Sequence, residues 1–470
     1  MKKLIFIAMV LSMTAYAQQI TFEPSGQSLP GTIWSEISVG DIYGNGRQDI
    51  CLDGGTDSSG SSPYHSYVFG NGGDGTLNIT SPFEASAIGF ILVDDFNNSE
   101  GDDYLKFGER QNGTVFAVLM RNNGDGTFTD VTPSVIQPLP NSKGVSGDFD
   151  KDGDVDFIVH GGDNAQAFTH YYENIGNFNF IKHSFTGMFG GDMIAGNLDN
   201  NPTGFMSVIH AGISGGAPVI FILRNNNGVL TEESINLDAF NDGSMVFIDI
   251  NGDTFLDYGS IGNYATGYGN DFKLNDGNGN FPGNKISVPF GGLSGSSMLT
   301  FNANNQGKEE LFVAGRMNDN TNITRLYKIN ESNDFVLAKV FQDAFSNGAA
   351  VAVDTNNDQK LDIFCSGNRG GGYPFEEGKT WLYLNTTSLG VDEFNADALK
   401  MYPNPTTGLV NIDLPNNVTD VQIIVTDMTG RNIPILLVNG QFDISDFSAG
   451  VYLATMRSDN ASVTKRIVKQ

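Results

Sequence analysis

Gly147-Asp148-Phe149-Asp150-Lys151-Asp152-Gly153-Asp154-Val155-Asp156, followed by the apolar Phe157-Ile158-Val159 and by Gly161-Gly162, is the stretch that decides the fold. Carboxylates stand at positions 1, 3, 5 and 9 of a short loop, and Gly at position 6 lets the backbone turn back. The pattern returns at Asp41 (with Asn45, Gly46 and Asp49), Asp95 (Asn97, Ser99, Asp103), Asp249 (Asn251, Asp253, Asp257) and Asp354 (Asn356, Asp358, Asp362). Two worn copies fill the gaps: Asn197, Asp199, Asn201, and then Asn302, Asn304, Gln306, Gly307, Glu310. Successive starts are 54, 53, 49, 52, 53 and 52 residues apart. Such regularity marks one structural unit used over and over.

A second motif lies between these loops. An apolar strand ends at Asn and a Gly-rich turn, then restarts at Phe or Leu, as in Val118-Leu119-Met120-Arg121-Asn122-Asn123-Gly124-Asp125-Gly126-Thr127-Phe128. Gly and Asn tolerate the positive φ that tight hairpins require. Each period therefore holds two hairpins and about four short strands, and no segment keeps a helical period. This pattern predicts an all-β chain: a seven-bladed β-propeller over residues 18–388. The seventh repeat stops after Trp381-Leu382-Tyr383-Leu384-Asn385 without an outer strand, whereas Ile20-Thr21-Phe22 precedes the first loop at the spacing of such a strand. The N-terminal strand is expected to complete the last blade and close the ring.

The chain ends read differently. Lys2 and Lys3, the apolar run Leu4 to Met13 and Ala15-Tyr16-Ala17 form an expected signal peptide over residues 1–17, too short to span a bilayer. After a linker at 389–396, residues 397–470 open on Tyr402-Pro403-Asn404-Pro405-Thr406-Thr407-Gly408. They continue in alternating strands (Leu409 to Leu414, Val421 to Thr426, Gly450 to Met456) and end in Lys465-Arg466-Ile467-Val468-Lys469. A small antiparallel β-sandwich is expected there.

The charge follows this division. The chain carries 26 Lys+Arg and 54 Asp+Glu, net −28, yet residues 397–470 are close to neutral with 6 basic and 7 acidic residues. The acidity belongs to residues 18–396. It excludes nucleic acid and anionic membrane surfaces as electrostatic partners, and 2 Cys exclude a disulfide scaffold.

Alternate positions 1, 3 and 5 of a tight loop converge their oxygens, and position 9 closes the shell. Hard oxygen donors of this kind suit Ca²⁺. An EF-hand is excluded, because Val159 stands where that loop needs Glu. The third loop (Asp148, Asp150, Asp152, Asp156) is the richest, followed by the fifth (Asp249, Asn251, Asp253, Asp257) and seventh (Asp354, Asn356, Asp358, Asp362). The first (Asp41, Asn45, Asp49) loses a ligand to Tyr43. The second (Asp95, Asn97, Ser99, Asp103) has Glu100 in place of Gly. Three Ca²⁺ sites are expected, and up to five. The fourth, with Phe205 at position 9, and the amide-rich sixth are expected to hold their turns by Asx hydrogen bonds alone.

These loops resemble the FG-GAP/VCBS repeats of integrin α-subunit propellers and of bacterial surface proteins. The resemblance covers residues 20–388, although the Phe-Gly and Gly-x-Pro marks of that family are mostly missing. It implies ions that stiffen blade hairpins and a propeller used as a binding platform, with lectins and parts of polysaccharide-degrading enzymes among its members. Residues 397–470 resemble the C-terminal sorting domain of type IX secretion cargo, through the Pro-Asn-Pro-x-x-Gly opening, the Asp427-Met428-Thr429-Gly430 turn, Gly450-Val451-Tyr452 and the basic end. That resemblance implies engagement of the type IX machinery, export through the periplasm to the surface or medium of a Gram-negative bacterium, and removal of the domain on export.

No catalytic constellation is visible. The five His are scattered, with His160 and His210 at like places in adjacent repeats, and neither a Gly-x-Ser-x-Gly elbow nor a P-loop occurs. A carboxylate pair assembled across blades would escape a linear reading. The loops Tyr264-Ala265-Thr266-Gly267-Tyr268 and Arg369-Gly370-Gly371-Gly372-Tyr373 are candidates for a glycan or protein site. Cys51 and Cys365 fall at opposite parity in neighbouring blades. They are read as two buried thiols that face each other across the closing seam, with a disulfide as the alternative. The expected function is therefore a monomeric, non-enzymatic, Ca²⁺-binding surface or secreted module for a protein or glycan ligand. The alternative is a carbohydrate-active enzyme or its lectin-like accessory.

Overall fold

Each repeat folds as one small antiparallel sheet, because its second strand is apolar on both sides. Asp156–Gly162 and Asp362–Asn368 are buried along their whole length, as a strand must be when a neighbouring sheet covers each face. The computed structural model describes residues 20–55, 63–99, 101–199, 204–304, 307–370, 378–387, 400–413, 422–427, 432–433, 435, 437, 440–458 and 461–470. The expected signal peptide at 1–17 and linker at 389–396 lie outside these residues. So do Glu100, Asn201, Gln306, Gly371 to Tyr373 and Met428 to Gly430. Two compact units are present, Ile20–Thr387 and Ser388–Gln470. Among the described residues every regular element is a strand, and no helix is long and apolar enough to cross a membrane.

The first unit is a seven-bladed β-propeller. Its innermost strands are Ile33–Gly40, Ala87–Asp94, Lys143–Gly147, the second half of Phe180–Gly196, Phe240–Ile248, Ser294–Phe301 and Ser346–Val353. Each touches the next, and the last returns to the first. Blades 3 and 4 share the 17-residue strand Phe180–Gly196, which pairs outward with Ala167–Asn174 and then inward with Ser207–Ser214. Blade 5 has three described strands instead of the four expected. Pro282, which has no N–H to donate, follows directly on Phe281 where the outer strand would start, although Phe281 itself remains buried.

The ring closes as the spacing predicts. Phe22–Pro24 pairs antiparallel with Gly378–Asn385, matching Phe22 to Asn385 and Pro24 to Tyr383. Blade 7 is thus built from both ends of the unit and leaves no free outer edge on Gly378–Asn385.

The core is not one mass but a cluster in every seam between blades. Phe90, Leu105 and Phe107 of blade 2 meet Phe157, Val159 and Tyr172 of blade 3, and Ile50, Leu52 and Phe69 of blade 1 meet Val353, Phe364 and Leu382 of blade 7. This arrangement corrects the expectation for the cysteines. Cys51 packs into the seam with blade 2 and Cys365 into the seam with blade 6. The parities do point them to opposite sides, but away from the seam their blades share, and both are free and buried.

The second unit has a three-stranded sheet (Lys400–Tyr402, Leu409–Asp413, Gln441–Asp443) and a four-stranded one (Asn432–Ile433, Gln422–Asp427, Gly450–Ser458, Ala461–Lys469). Val410, Ile412, Val425, Phe442, Tyr452 and Ile467 fill the space between them. Asn404 of the Pro-Asn-Pro opening clasps the final strand. Its Nδ2 donates to the Arg466 carbonyl at 2.7 Å and its Oδ1 accepts from the Val468 amide at 2.9 Å.

Candidate functional site

The acidic loops join the first and second strands of the blades, and each is held by parts with separate tasks. Position 2 is a plug: Ile42, Phe96, Phe149, Leu198, Ile250, Ala303 and Thr355 are all buried. Position 9 is a tie. Asp156 accepts the Asn174 amide at 2.7 Å, the Phe149 amide at 3.0 Å and the Tyr171 hydroxyl at 3.0 Å. Asp257 and Asp362 bind the equivalent pairs of amides, and Asp49 takes those of Asn71 and, one residue further along the loop, Tyr43. Asp103 takes the Asn122 amide at 2.8 Å. Burial outweighs these bonds and pushes the carboxyls up, to about 6 for Asp49 and Asp257 and about 7 for Asp103 and Asp156. The side chain of the Asn that ends the third strand then staples the loop of the preceding blade. Asn122 Nδ2 reaches the Ile42 carbonyl at 2.9 Å, Asn174 that of Phe96 at 2.9 Å and Asn275 that of Leu198 at 2.7 Å. In blade 6, where Ile329 replaces this Asn, Lys308 Nζ takes over and donates to the Ile250 carbonyl at 2.6 Å.

The remaining loop carboxylates differ from loop to loop. In the third, carboxylate oxygens of Asp148, Asp150 and Asp156 lie within 4.8 Å of one another. Asp148 Oδ1 is buried without a hydrogen-bond partner, and burial first, then the neighbouring Asp152, Glu173 and Asp148, raise the Asp150 carboxyl. Asp152 turns instead to the Asp154 amide at 2.9 Å. In the other loops position 1 caps its own turn. Asp41 accepts the Asn45 and Gly46 amides, Asp249 those of Gly252 and Thr254, and Asp354 those of Asp358 and Gln359. Asn251 and Asn356 accept the Asp253 and Asp358 amides. Asp253 caps Phe255, while Asp358 caps Lys360 and pairs with its ammonium at 3.0 Å. In the second loop Asp95 caps Asn97 and Ser99, Asn97 Nδ2 approaches Asp103 at 3.3 Å, and Asn97 Oδ1 and Asp103 Oδ2 are buried without partners.

A site on the ring axis was missed by the sequence reading. Residues at the start of the innermost strands line a cavity of about 510 Å³, among them Trp34, Glu36, Asn141, Lys143, Asp242 and Asn347. Here the strand register slips, between Ile33 and Glu36 in blade 1 and at matching places in blades 2, 4, 5, 6 and 7. A signal for it is present in the chain: six residues before every acidic loop stands Ser or Gly, namely Ser35, Gly89, Ser142, Gly191, Gly243, Ser296 and Gly348. The residue before it takes positive φ at Trp34 (50°), Asn141 (46°), Gly190 (64°), Asp242 (48°), Gly295 (51°) and Asn347 (49°). Asn, Asp and Gly are the residues that tolerate this geometry; Trp is not.

Inside the cavity, Lys143 Nζ of blade 3 pairs with Glu36 of blade 1, each side chain about a quarter exposed (28%). Burial pulls the Lys143 ammonium down, but Glu36, Asp192 and Asp242 outweigh it and hold it above its ordinary value. Asp192 accepts the Met193 and Met245 amides. No hydrogen bond to the Asp242 carboxylate is found among the described residues. Of the two aromatic loops, Tyr264 is buried on Phe240 with its hydroxyl on Ser260, while Tyr268 is exposed. His160 and His210 are buried one blade apart with ring centroids at 6.1 Å, and His160 Nε2 meets the Gly190 carbonyl at 2.8 Å.

No curated protein matches this chain. Among solved structures it is similar to AofleA from Arthrobotrys oligospora, with 8% identity over 69% of this chain and 89% of that one and a TM-score of 0.37. It is also similar to a subtype N11 neuraminidase-like protein of A/flat-faced bat/Peru/033/2010 (H18N11), with 11% identity over 80% of this chain and 99% of that one and a TM-score of 0.33. Residues 400–470 match the family described as the secretion system C-terminal sorting domain. This segment, with Asn404 clasping its last strand, is a type IX secretion sorting domain, and the chain that carries it is a secreted protein.

Proposed function

We propose that the exported chain is a calcium-stabilised propeller of the FG-GAP/VCBS type that acts as a non-enzymatic binding module for a protein or glycan at the cell surface or in the medium. The observation that carries the metal reading is the third loop. Three carboxylates converge there and one buried oxygen, Asp148 Oδ1, lacks a partner. A hard dication suits that donor set. Asp148, Asp150 and Asp156 would hold it, and its charge would offset their mutual repulsion. Loops 5 and 7 carry the same residue types, but their position-1 carboxylates already cap the turn; loops 1 and 2 are poorer still. The third loop is therefore the first to fill. The ion braces a hairpin and supplies no chemistry, and the ligand surface lies elsewhere on the ring.

Thermal melting with Ca²⁺ and with EDTA tests this reading. An ion that binds only the folded state raises stability by mass action, by about 2.7 kcal/mol at a hundredfold excess over Kd. The melting temperature should rise with Ca²⁺, and Asp150→Asn should remove most of the rise. An unchanged midpoint would reject the metal. Release of reducing ends from any polysaccharide would replace the binding reading with an enzymatic one.

A further inference from the structure

We propose that the axial cavity takes an arginine side chain presented by a protein partner, with Asp242 as its counter-charge. The inference rests on the binding reading above and adds a place and a partner chemistry to it.

Symmetry separates scaffold from recognition. A feature that merely builds the ring recurs from blade to blade, as the position-9 tie, the Asn staple and the Ser/Gly slip do. The charge of Asp242 does not recur. The residues just before the slip are Trp34, Ile88, Asn141, Gly190, Asp242, Gly295 and Asn347, so blade 5 alone carries a charge there. Asn141 (46°) and Asn347 (49°) adopt the same positive φ as Asp242 (48°). Asn therefore meets the demand of the backbone as well as Asp does, and the carboxylate of Asp242 is surplus to the fold.

That carboxylate is short of positive charge. Glu36, Lys143 and Asp242 are the charged groups among the described residues that line the cavity, and Glu36 and Lys143 pair with each other. Asp242 is exposed to the cavity, and no hydrogen bond to it is found among the described residues. The walls still strip enough water from its carboxyl to raise it, and Lys143 and Arg316 offset only part of the rise. A second group awaits a partner on the blade 3 wall. Ser142 is 2% exposed, and its hydroxyl oxygen has no hydrogen-bond partner among the described residues, a state rare for a buried polar atom.

These features set the class of cation. A metal ion needs several converging oxygens, and the cavity holds one free carboxylate. An ammonium is compact and strongly hydrated, whereas a guanidinium is planar, always charged and carries five N–H donors. It can serve a carboxylate and a hydroxyl together. The acidity of residues 18–396 draws a basic partner in, since a cleft of one sign focuses the field. The volume of about 510 Å³ falls in the range of roughly 300–1,000 Å³ usual for small-ligand sites.

The test uses the full chain with Ca²⁺ present. Terminally blocked peptides that differ only in carrying Arg, Lys or citrulline, the uncharged analogue of Arg, are titrated calorimetrically. Two variants follow from the ring itself. Asp242→Asn places at 242 the residue of blades 3 and 7, and Ser142→Gly places at 142 the residue of blades 2, 4, 5 and 7, so both should fold and melt like the parent. The Arg peptide should bind best. Asp242→Asn should weaken it about tenfold or more, the loss of one charge-assisted hydrogen bond, and Ser142→Gly should weaken it several-fold. Arg and citrulline peptides bound equally, or Asp242→Asn without effect, would overturn the site. So would Arg and Lys peptides bound equally by parent and variants, which is the unspecific pull of an acidic chain. A chain that binds no peptide at millimolar concentration would also overturn the proposal; if it still melted higher with Ca²⁺ and bound a saccharide on a glycan array, the broader function would survive.

Discussion

Replacing Phe22 by Ala should open the ring, and the size of the effect can be worked from the closing seam. The Phe22 side chain is 1% exposed. It lies 6.3 Å from the Phe301 ring and 5.7 Å from the Phe341 ring, in the cluster between blades 6 and 7 that also holds Phe312, Phe345 and Tyr383. Removing a buried Phe costs about 3–5 kcal/mol, the lost transfer energy plus the cavity left behind. The upper part of that range is expected, because the surrounding rings are fixed by their own strands and cannot collapse inward. Against total stabilities of roughly 5–15 kcal/mol, this is a large fraction. Urea unfolding followed by tryptophan fluorescence is the assay, since Trp381 stacks on Phe345 in the same blade at 6.0 Å. Glu23→Ala, on the same strand but exposed, is the control and should stay within about 0.5 kcal/mol. If the two variants shift the midpoint equally, or if Phe22→Ala costs under about 1 kcal/mol, the N-terminal strand does not secure the ring.

Three further outcomes are expected. Asp156→Ala should destabilise the protein even in EDTA, by about 1–3 kcal/mol for each amide left without its acceptor, whereas Asp150→Asn should alter only the calcium-dependent part; equal behaviour in paired melts would contradict the division between tie and ligand. Lys106 is fully buried and its ammonium is 2.9 Å from Asp53, so Asp53→Ala should cost about 3–5 kcal/mol while the Asp53→Leu, Lys106→Met pair regains most of it; denaturant midpoints that show no recovery would argue against an uncompensated charge. Burial holds His160 and His210 down at about 3, below the ordinary value of about 6.5. Protons therefore favour the unfolded chain: the contribution of each His is whole above about pH 6.5 and is lost toward pH 3, at about 1.4 kcal/mol per pH unit. The His160→Asn, His210→Asn double variant should flatten the fall in stability between pH 6.5 and 4.5, and parallel profiles for variant and parent would refute it.

The repeat, the number of blades and the borrowed closing strand were legible because they are one-dimensional. A period, a missing strand and a spare one can be counted along the chain. Asp156 shows what counting misses. Its place at position 9 is that of a metal ligand, and spacing does not show that the same carboxylate also ties the backbone, through the amides of Phe149 and Asn174, the latter 18 residues away. The cysteines show the same limit. Parity placed them on opposite faces, but which face meets which neighbour depends on the direction in which blades follow one another around the ring.

By itself, then, the sequence determined the architecture, the sorting domain and the presence of acidic turns, since local spacing and apolar pattern are enough to specify hairpins and their repetition. Tertiary structure alone decided which carboxylates converge: among the described residues, three of them come together in the third loop, with one oxygen unsatisfied. It also decided that Trp34, Glu36, Lys143 and Asp242, up to 208 positions apart in the chain, share one cavity. Closure of a ring brings the first residues of every blade to a single axis, and no linear spacing records that meeting.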